Sequence, residues 1–207
     1  MNAKEEIIKR LRTEYVGVKS ALDFKSAYQL LVATILAAQC TDVRVNIVTK
    51  ELFLKYPSPK ELSTASAAEV EGYIKTCGLY KNKAKNLVAC AQKLMSDFGG
   101  EVPHTREELT TLAGVGRKTA NVVLSNAFGI PAFAVDTHVK RVSNRLGFAH
   151  SDNPDKVEQE LTKIFKREDW ADAHHWLIWH GRKICKAQKP LCEQCCVKEV
   201  CPYYKKQ

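Results

Sequence analysis

Apolar residues recur at the helical period along nearly the whole chain, and no other feature of the sequence limits the fold as much. Between residues 117 and 128, for example, Ala120, Val123 and Leu124 fall on one helical face. The one strand-like stretch, residues 131–135, is too short to seed a sheet. The sequence therefore predicts an all-α protein, built as two helical lobes.

Glycine, proline and helix-capping residues divide this pattern into nine predicted helices. Thr41 or Asp42 is expected to cap the second helix, and Pro57 and Pro59 are expected to break the chain after it. The predicted helices cover residues 26–39, 43–56, 66–76, 81–98, 105–112, 117–128, 136–146, 153–165 and 169–184.

The composition is that of a globular protein. Of 207 residues, 45% are apolar and 27% are charged, which is enough apolar surface to exclude disorder as the main state. The longest uncharged run in the first half, residues 26–41, is too short and too polar to cross a membrane. The first ten residues carry acids and lack the apolar core of a secretory signal. We therefore expect neither a membrane partner nor a targeting signal.

Positive charge is concentrated in one stretch of the chain. The formal net charge is +9, and a single acid, Asp136, lies between Thr111 and His150. The basic residues of that stretch are Arg117, Lys118, Lys140, Arg141 and Arg145. Such a stretch predicts an anion-binding face, and nucleic acid is a common partner of basic proteins.

A glycine-rich turn opens the basic stretch. Gly114 and Gly116 flank Val115 between two predicted helices, directly before Arg117. Glycines in a tight turn expose backbone N–H groups, which can hold a phosphate at a helix start, while Val115 would face inward. An ordinary corner between helices is the alternative. The basic residues that follow, without an acid before Asp136, favour nucleic acid.

Lys118 and Asp136 are the candidate catalytic residues. The positive end of the helix dipole and the neighbouring Arg117 both disfavour a charged amine at Lys118, which suits a nucleophile. On helix position alone, a lysine that contacts phosphate is the commoner case. Asp136 can serve as an N-cap, yet a carboxylate weakens binding to a polyanion, so its presence suggests that it assists a cation or a proton transfer.

Five of the eight cysteines lie in the last 23 residues. Cys192 and Cys195 form one CxxC pair, with wider gaps to Cys185 and Cys201. Zinc sites usually take two such pairs, so the spacing favours an iron–sulfur cluster but leaves zinc open. The fifth, Cys196, could replace Cys195 by count alone. Without a secretory signal, disulfides are not expected.

Two segments, LAGVGRKTANVVL at 112–124 and AVDTHVKRVSNRLG at 134–147, resemble the helix-hairpin-helix DNA glycosylases. The resemblance is closest to the endonuclease III family and runs from about residue 20 to residue 201. Further matching stretches are LAAQCTDVRVN, GLYKNKAKN, HHWLIWHGR and the terminal cysteines. The chain departs from the family at Ala113, where the family usually has a hairpin proline, and we expect this to cost little.

The resemblance implies a base-excision repair enzyme with DNA glycosylase and abasic-site lyase activities. It would remove oxidised pyrimidines and cleave abasic sites by β-elimination through a Schiff base on Lys118, with Asp136 assisting. Residues 21–130 would form a six-helix barrel domain with the helix-hairpin-helix, and residues 1–20 with 131–207 an iron–sulfur cluster domain. DNA would bind in the groove between them.

The same resemblance implies a 4Fe–4S cofactor, with Cys195 rather than Cys196 as a ligand because only Cys195 keeps the family spacing. The implied ligands are Cys185, Cys192, Cys195 and Cys201. The implied partner is double-stranded DNA that contains damaged bases or abasic sites. The protein is expected to be a monomer in the bacterial cytoplasm, associated with the nucleoid.

Five further residues are predicted to contact DNA. The resemblance assigns Gln39 and Leu79 to filling the gap left by a flipped base, although Leu79 could equally pack as a hydrophobic staple. His138 could contact DNA or the base pocket. Lys186 and Lys189 make the loop after Cys185 basic, which predicts a second phosphate contact.

Rival functions remain. A non-enzymatic DNA-binding module is disfavoured by the pairing of Lys118 with Asp136, and an iron–sulfur electron carrier by the net charge of +9 and the hairpin. The related adenine glycosylases lack the hairpin lysine and carry an extra C-terminal domain. A helix-hairpin-helix glycosylase with another lesion specificity also remains open.

Overall fold

The computed structural model describes residues 2–206, within which every regular element is helical. The helices are α1 (Ala3–Glu14), α2 (Ala27–Leu36), α3 (Asp42–Lys55), α4 (Pro59–Ser63), α5 (Ala67–Ile74), α6 (Tyr80–Phe98), α7 (Arg106–Leu109), α8 (Arg117–Ala127), α9 (Thr137–Arg145), α10 (Pro154–Ile164) and α11 (Trp170–Lys183). Four short 3-10 turns follow or flank them, at Arg167–Asp169, Cys192–Gln194, Lys198–Val200 and Tyr204–Lys206. None of these helices is both long and apolar enough to span a membrane.

The chain divides into two compact units. Ser20–Ile130 forms one of them and contains α2 to α8. The segment up to Lys19 joins the segment from Pro131 onward to form the other, which contains α1 and α9 to α11. The names six-helix barrel and cluster domain stay predictions for these units.

Helix α2 is the centre of the Ser20–Ile130 unit. It is apolar nearly all round, and Leu30, Leu31 and Leu36 are fully buried. Helices α3, α6 and α8 pack against it, while α4 and α5 pack against α6. These contacts make α2 a fixed support for the elements that carry the predicted hairpin and both predicted gap-filling residues.

The other unit is organised around α9 and α11. Amphipathic α9 buries Val139 and Val142 against a core to which α1 contributes Ile7 and Leu11. Helix α11 adds Leu177 to this core. The N-terminal helix is therefore an integral part of the unit that holds the terminal cysteines.

Two helices were missed by the sequence prediction. Pro59 was predicted to break the chain, yet it is the first residue of α4, where Ser58 and Glu61 form a capping box. Helix α1 begins with a second capping box between Asn2 and Glu5. All nine predicted helices are present with no end shifted by more than three residues, and Thr41 caps α3.

Candidate functional site

The hairpin between α7 and α8 requires glycine at position 114. Gly114 has a φ of 77°, and a Cβ atom there would lie 3.1 Å from Asn86 Cβ and 3.3 Å from Ile35 Cγ2. Both the left-handed backbone and the close approach exclude a side chain. The hairpin is thereby fixed against α2 and α6, which carry those two neighbours.

Helix α8 begins without a side-chain cap. Its N-cap is Gly116, which makes no side-chain hydrogen bond and has open space where a Cβ would stand. The first turn contains no acid, and Val115 is buried as predicted. A helix start of this kind attracts an anion, because its first N–H groups and its dipole are directed toward the space beyond Gly116. Lys118 lies in this first turn and is exposed.

Two of the predicted DNA-contact residues occupy strained turns. Gln39 has a φ of 54° and Leu79 a φ of 58°, and both side chains are exposed. A left-handed backbone costs a non-glycine residue about 1–2 kcal/mol. Within residues 2–206 the only other non-glycine residue of this kind is Lys189, at 47°. All three are residues predicted from the sequence to contact DNA, and such strain is typical of functional positions.

The structure brings the turns of Gln39 and Leu79 together. A Cβ added to Gly78 would lie 3.1 Å from the Gln39 carbonyl oxygen, so the two backbones are in contact. Leu79, the N-cap residue of α6, is 58% exposed. This exposure disfavours the hydrophobic-staple alternative, which needs burial.

Asp136 directly precedes α9 and caps it. Its Oδ1 accepts a hydrogen bond of 2.7 Å from the Val139 N–H, and the residue is half-buried. The predicted N-cap is confirmed by this bond. Because the side chain is bonded to its own helix, the carboxylate is held in one orientation.

His138 is held by the arginine one turn further along α9. Arg141 Nη2 lies 3.2 Å from His138 Nδ1, and since arginine only donates, Nδ1 accepts and Nε2 carries the proton. Burial lowers the pKa of His138, although Asp136 opposes this shift. Both the contact with Arg141 and burial favour the neutral form of the imidazole.

Two arginines of the predicted anion-binding face, Arg141 and Arg145, bond backbone carbonyls of the protein instead. Arg141 donates to the Cys185 and Gly181 carbonyls at 3.1 and 2.9 Å. Arg145 donates to the Lys186 and Ala187 carbonyls at 2.6 and 3.0 Å. These two basic side chains thus hold the backbone at the start of the cysteine loop, and the sequence reasoning missed this role. Lys186 and Lys189 are exposed on the same loop.

The thiols of Cys185, Cys195 and Cys201 are all near enough to Cys192 to act on its pKa. Burial raises the pKa of the Cys192 thiol, and the neighbouring thiols of Cys185, Cys195 and Cys201 raise it further. Arg145 Nη1 lies 3.5 Å from Cys185 Sγ, and His180 Nε2 lies 3.6 Å from Cys195 Sγ.

The donor set of these four cysteines fits an iron–sulfur cluster. Its protein ligands would be sulfurs alone. Arg145 donates toward Cys185 Sγ and His180 Nε2 lies near Cys195 Sγ, and nitrogen groups of this kind tune such clusters. Within residues 2–206, no three His, Cys, Asp or Glu side chains form a group able to hold a single metal ion. A 4Fe–4S cluster would be held by four cysteine thiolates, which Cys185, Cys192, Cys195 and Cys201 could supply.

Two polar residues that follow Lys118 along α8 are buried. Asn121 and Ser125 are 1% and 9% exposed. Ser125 donates to the Asn121 carbonyl, one turn back. Only Lys118 of these three is accessible to a ligand.

The chain matches the model of the HhH-GPD superfamily of base excision DNA repair proteins over residues 32–167. An endonuclease III from Synechocystis sp. is 48% identical over 198 residues, which are 95% of this chain and 90% of that protein. An endonuclease III from Bacillus subtilis is 51% identical over 175 residues, which are 84% of this chain and 80% of that protein.

One solved structure with a similar fold is a trapped covalent intermediate between endonuclease III and DNA. It superposes with a TM-score of 0.93 at 45% sequence identity, and the match covers 100% of this chain and 99% of that chain.

Proposed function

The chain belongs to the endonuclease III family of the HhH-GPD superfamily and is a base-excision repair DNA glycosylase and lyase, and on that premise we propose that Lys118 and Asp136 carry out its chemistry. The observation that carries this proposal is the position of Lys118, which is exposed in the first turn of α8 directly after the glycine hairpin. A hairpin that holds the DNA backbone would deliver the sugar of a flipped nucleotide to the amine beside it.

The lysine acts as the nucleophile. The Lys118 amine attacks C1′ of the damaged nucleotide, the bond from C1′ to the base breaks, and the base leaves with the electron pair of that bond. The nitrogen then gives up one of its two protons, its electron pair forms the C1′=N bond as the C1′–O4′ bond breaks, and O4′ takes up a proton, which leaves a protonated Schiff base on the opened sugar. Removal of a C2′ proton then expels the 3′ phosphate by β-elimination, which cleaves the strand.

Asp136 assists from the start of α9. Its carboxylate stabilises positive charge on the sugar as the base departs and accepts or returns protons during the later steps. The bond from the Val139 N–H fixes its position, so the cap and the catalytic role are compatible.

DNA is held by three groups of residues. The hairpin, Gly114 to Arg117, binds phosphate through backbone N–H groups and the adjacent basic side chains. Gln39 and Leu79 enter the duplex and fill the space left by the flipped base, for which an exposed apolar side chain on a turn is suited. His138 contacts the DNA or the base pocket, and exposed Lys186 and Lys189 bind phosphate.

A 4Fe–4S cluster would be held by Cys185, Cys192, Cys195 and Cys201, and when bound it would fix the loop that carries Lys186 and Lys189. Arg145 and His180 would donate hydrogen bonds to its thiolates. We expect about four irons per chain. Cys192→Ser should remove the visible absorbance of the purified protein, whereas Cys196→Ser should keep it. Stoichiometric zinc without visible absorbance would contradict the assignment.

The substrate is double-stranded DNA that contains an oxidised pyrimidine or an abasic site, and the enzyme acts as a monomer. Activity on a panel of duplexes, each with a single lesion, tests the lesion specificity and separates this proposal from a glycosylase of another specificity. Location in the bacterial cytoplasm at the nucleoid stays a prediction.

Trapping of the covalent intermediate tests the nucleophile. Borohydride reduces a Schiff base to a stable amine, so the wild-type protein should crosslink to abasic DNA. Lys118→Gln should abolish the crosslink and leave DNA affinity nearly unchanged, with Lys85→Gln, an exposed lysine of α6, as the control. Trapping of Lys118→Gln at the wild-type rate would show that another amine is the nucleophile.

A further inference from the structure

A buried lysine lies beneath the two strained turns and has no part in the chemistry described above. Lys83, in the first turn of α6, is 4% exposed, whereas Lys81 and Lys85 on the same helix are exposed. Its ammonium donates a hydrogen bond of 2.8 Å to the Leu36 carbonyl, at the last residue of α2. Burying an ammonium is costly, so its retention indicates a specific role.

The environment of Lys83 suits a cation. The C-terminal end of α2 carries the negative end of the helix dipole, and its last carbonyls lack partners within the helix. Burial lowers the pKa of Lys83, and the nearby thiols of Cys40 and Cys77 oppose this shift. The ammonium is thus held between the end of one helix and the start of another.

Lys83 connects the turn of Gln39 to the turn of Leu79. Its side chain bonds Leu36, which directly precedes the turn at residues 37–40, and its backbone N–H bonds the Leu79 carbonyl at 3.0 Å. The same two turns also meet where Gly78 contacts the Gln39 carbonyl. A single residue therefore contacts both segments that hold the exposed left-handed residues.

We propose that Lys83 is a positioning residue that fixes the spacing of Gln39 and Leu79, so that the two side chains enter the duplex together. The inference rests on the proposed function, in which these two residues fill the gap left by the flipped base. Without the bond to Leu36, each turn could still form and the contact between Gly78 and the Gln39 carbonyl would still join them, but their spacing would be less tightly fixed. The loss should fall on base flipping in duplex DNA and leave the Lys118 amine unaffected.

A double-mutant cycle tests this coupling. Lys83→Met keeps the length and apolar stem of the side chain but removes the donor. It should lower kcat/KM on a duplex that contains one thymine glycol by about tenfold, the size expected for a lost hydrogen bond from a charged group. In a Gln39→Ala/Leu79→Ala background, the same change should cost less than about twofold, because the side chains that Lys83 positions are gone.

Two further measurements separate positioning from a general loss of structure. Cleavage of an abasic site in single-stranded DNA, which has no opposite base and no gap to fill, should be nearly unchanged in Lys83→Met. Lys85→Met removes one charge from the same helix without touching the turns, and its rate on the duplex should match that of the wild type. If Lys83→Met fails to fold, Lys83→Gln replaces it in the double-mutant cycle. Glutamine retains an N–H donor, so a smaller loss of kcat/KM is expected.

The outcomes distinguish the two levels of the proposal. If Gln39→Ala/Leu79→Ala retains the wild-type rate on the duplex, the proposed role of the two turns is wrong and the role of Lys83 is overturned with it. If that variant is slow but Lys83→Met is fully active, or if their losses multiply, only the positioning role of Lys83 is overturned. An equal loss on duplex and single-stranded DNA also overturns it.

Discussion

The N-cap residues of α8 and α9 have almost the same backbone conformation, but only the one at α9 caps its helix with a side chain. The N-cap of α8, Gly116, has φ and ψ of −96° and 178°, and the N-cap of α9, Asp136, has −105° and −173°. At α9 the carboxylate of the cap accepts the Val139 N–H, so the helix satisfies one of its own donors. At α8 no side chain does so, and the space beyond Gly116 is open.

The contrast shows how one backbone geometry serves two purposes. A helix start without a side-chain cap gives up a small amount of stability and gains a place for an external anion. A helix start closed by an aspartate gains a rigid carboxylate whose position does not depend on a ligand. The residue at the N-cap decides whether the helix start offers a site for an anion or holds a fixed carboxylate. Substitutions at the two N-cap positions test both roles.

The largest effect is expected from Asp136→Asn. Asparagine caps a helix about as well as aspartate, so the melting temperature should not change. The rate of base release should fall by roughly 10²–10⁴, the range for a positioned acid–base group, while DNA affinity stays equal or rises because a like charge is removed. Single-turnover kinetics and a thermal melt measure the two quantities.

Asp136→Ala is the matched control for the cap. It should show the same loss of rate and, in addition, about 1 kcal/mol lower stability, because the bond to Val139 is lost. An Asn variant with near-normal activity would reduce Asp136 to a capping residue and leave Lys118 without its proposed partner.

Gly114→Ala should have the next largest effect, on stability. The added Cβ meets Asn86 and Ile35 and holds a left-handed backbone, which together should cost about 3 kcal/mol in the free energy of unfolding. Gly129→Ala provides the control, since Gly129 has a φ of 64° but open space around it and should cost only about 1 kcal/mol. Urea unfolding measures both variants. Equal losses of unfolding free energy would mean that the close approach of the hairpin to α2 and α6 adds nothing to the cost of Gly114→Ala.

Gly116→Asp should have the smallest effect, raising stability while lowering DNA affinity. Its backbone suits any residue and its Cβ has room, so the new carboxylate can cap α8 as Asp136 caps α9. Stability should rise by a few tenths of a kcal/mol. DNA affinity should fall by about tenfold, because the carboxylate occupies the place proposed for a phosphate.

Gly116→Asn caps without the charge and should lose less affinity than Gly116→Asp. Binding titrations at two salt concentrations separate the two variants. Undiminished affinity in both would mean that the start of α8 does not bind DNA.

Most helices were predictable because apolar residues recur at the helical period in each of them. The two that were missed carried local signals: Ser58 and Pro59 are followed by Glu61, and Asn2 by Glu5, both of which are helix-start patterns. Proline breaks a helix in its interior but is favourable at the first helical position, which Pro59 occupies. Helix α4 was therefore missed because Pro59 was considered without the capping residues Ser58 and Glu61 beside it.

Two features of the candidate site could not be predicted from the chain alone. The left-handed backbones of Gln39 and Leu79 have no sequence signature, since glycine is the usual residue for such a turn. Contact between the two turns depends on how α2 and α6 pack, which local patterns do not specify. The burial of Lys83 did have a signal, because it lies on the same helical face as the buried residues Leu87 and Ala91.

One unit of the molecule is built from two distant parts of the chain, and this has a consequence for its synthesis. Helix α1 leaves the ribosome well before α9 and α11, and the whole Ser20–Ile130 unit is translated in between. At roughly 5–20 residues per second, the apolar face of Ile7 and Leu11 waits on the order of ten seconds for its partners. The unit with the cysteines is therefore the last to close, and Cys201 emerges only after every α-helix of both units has been made.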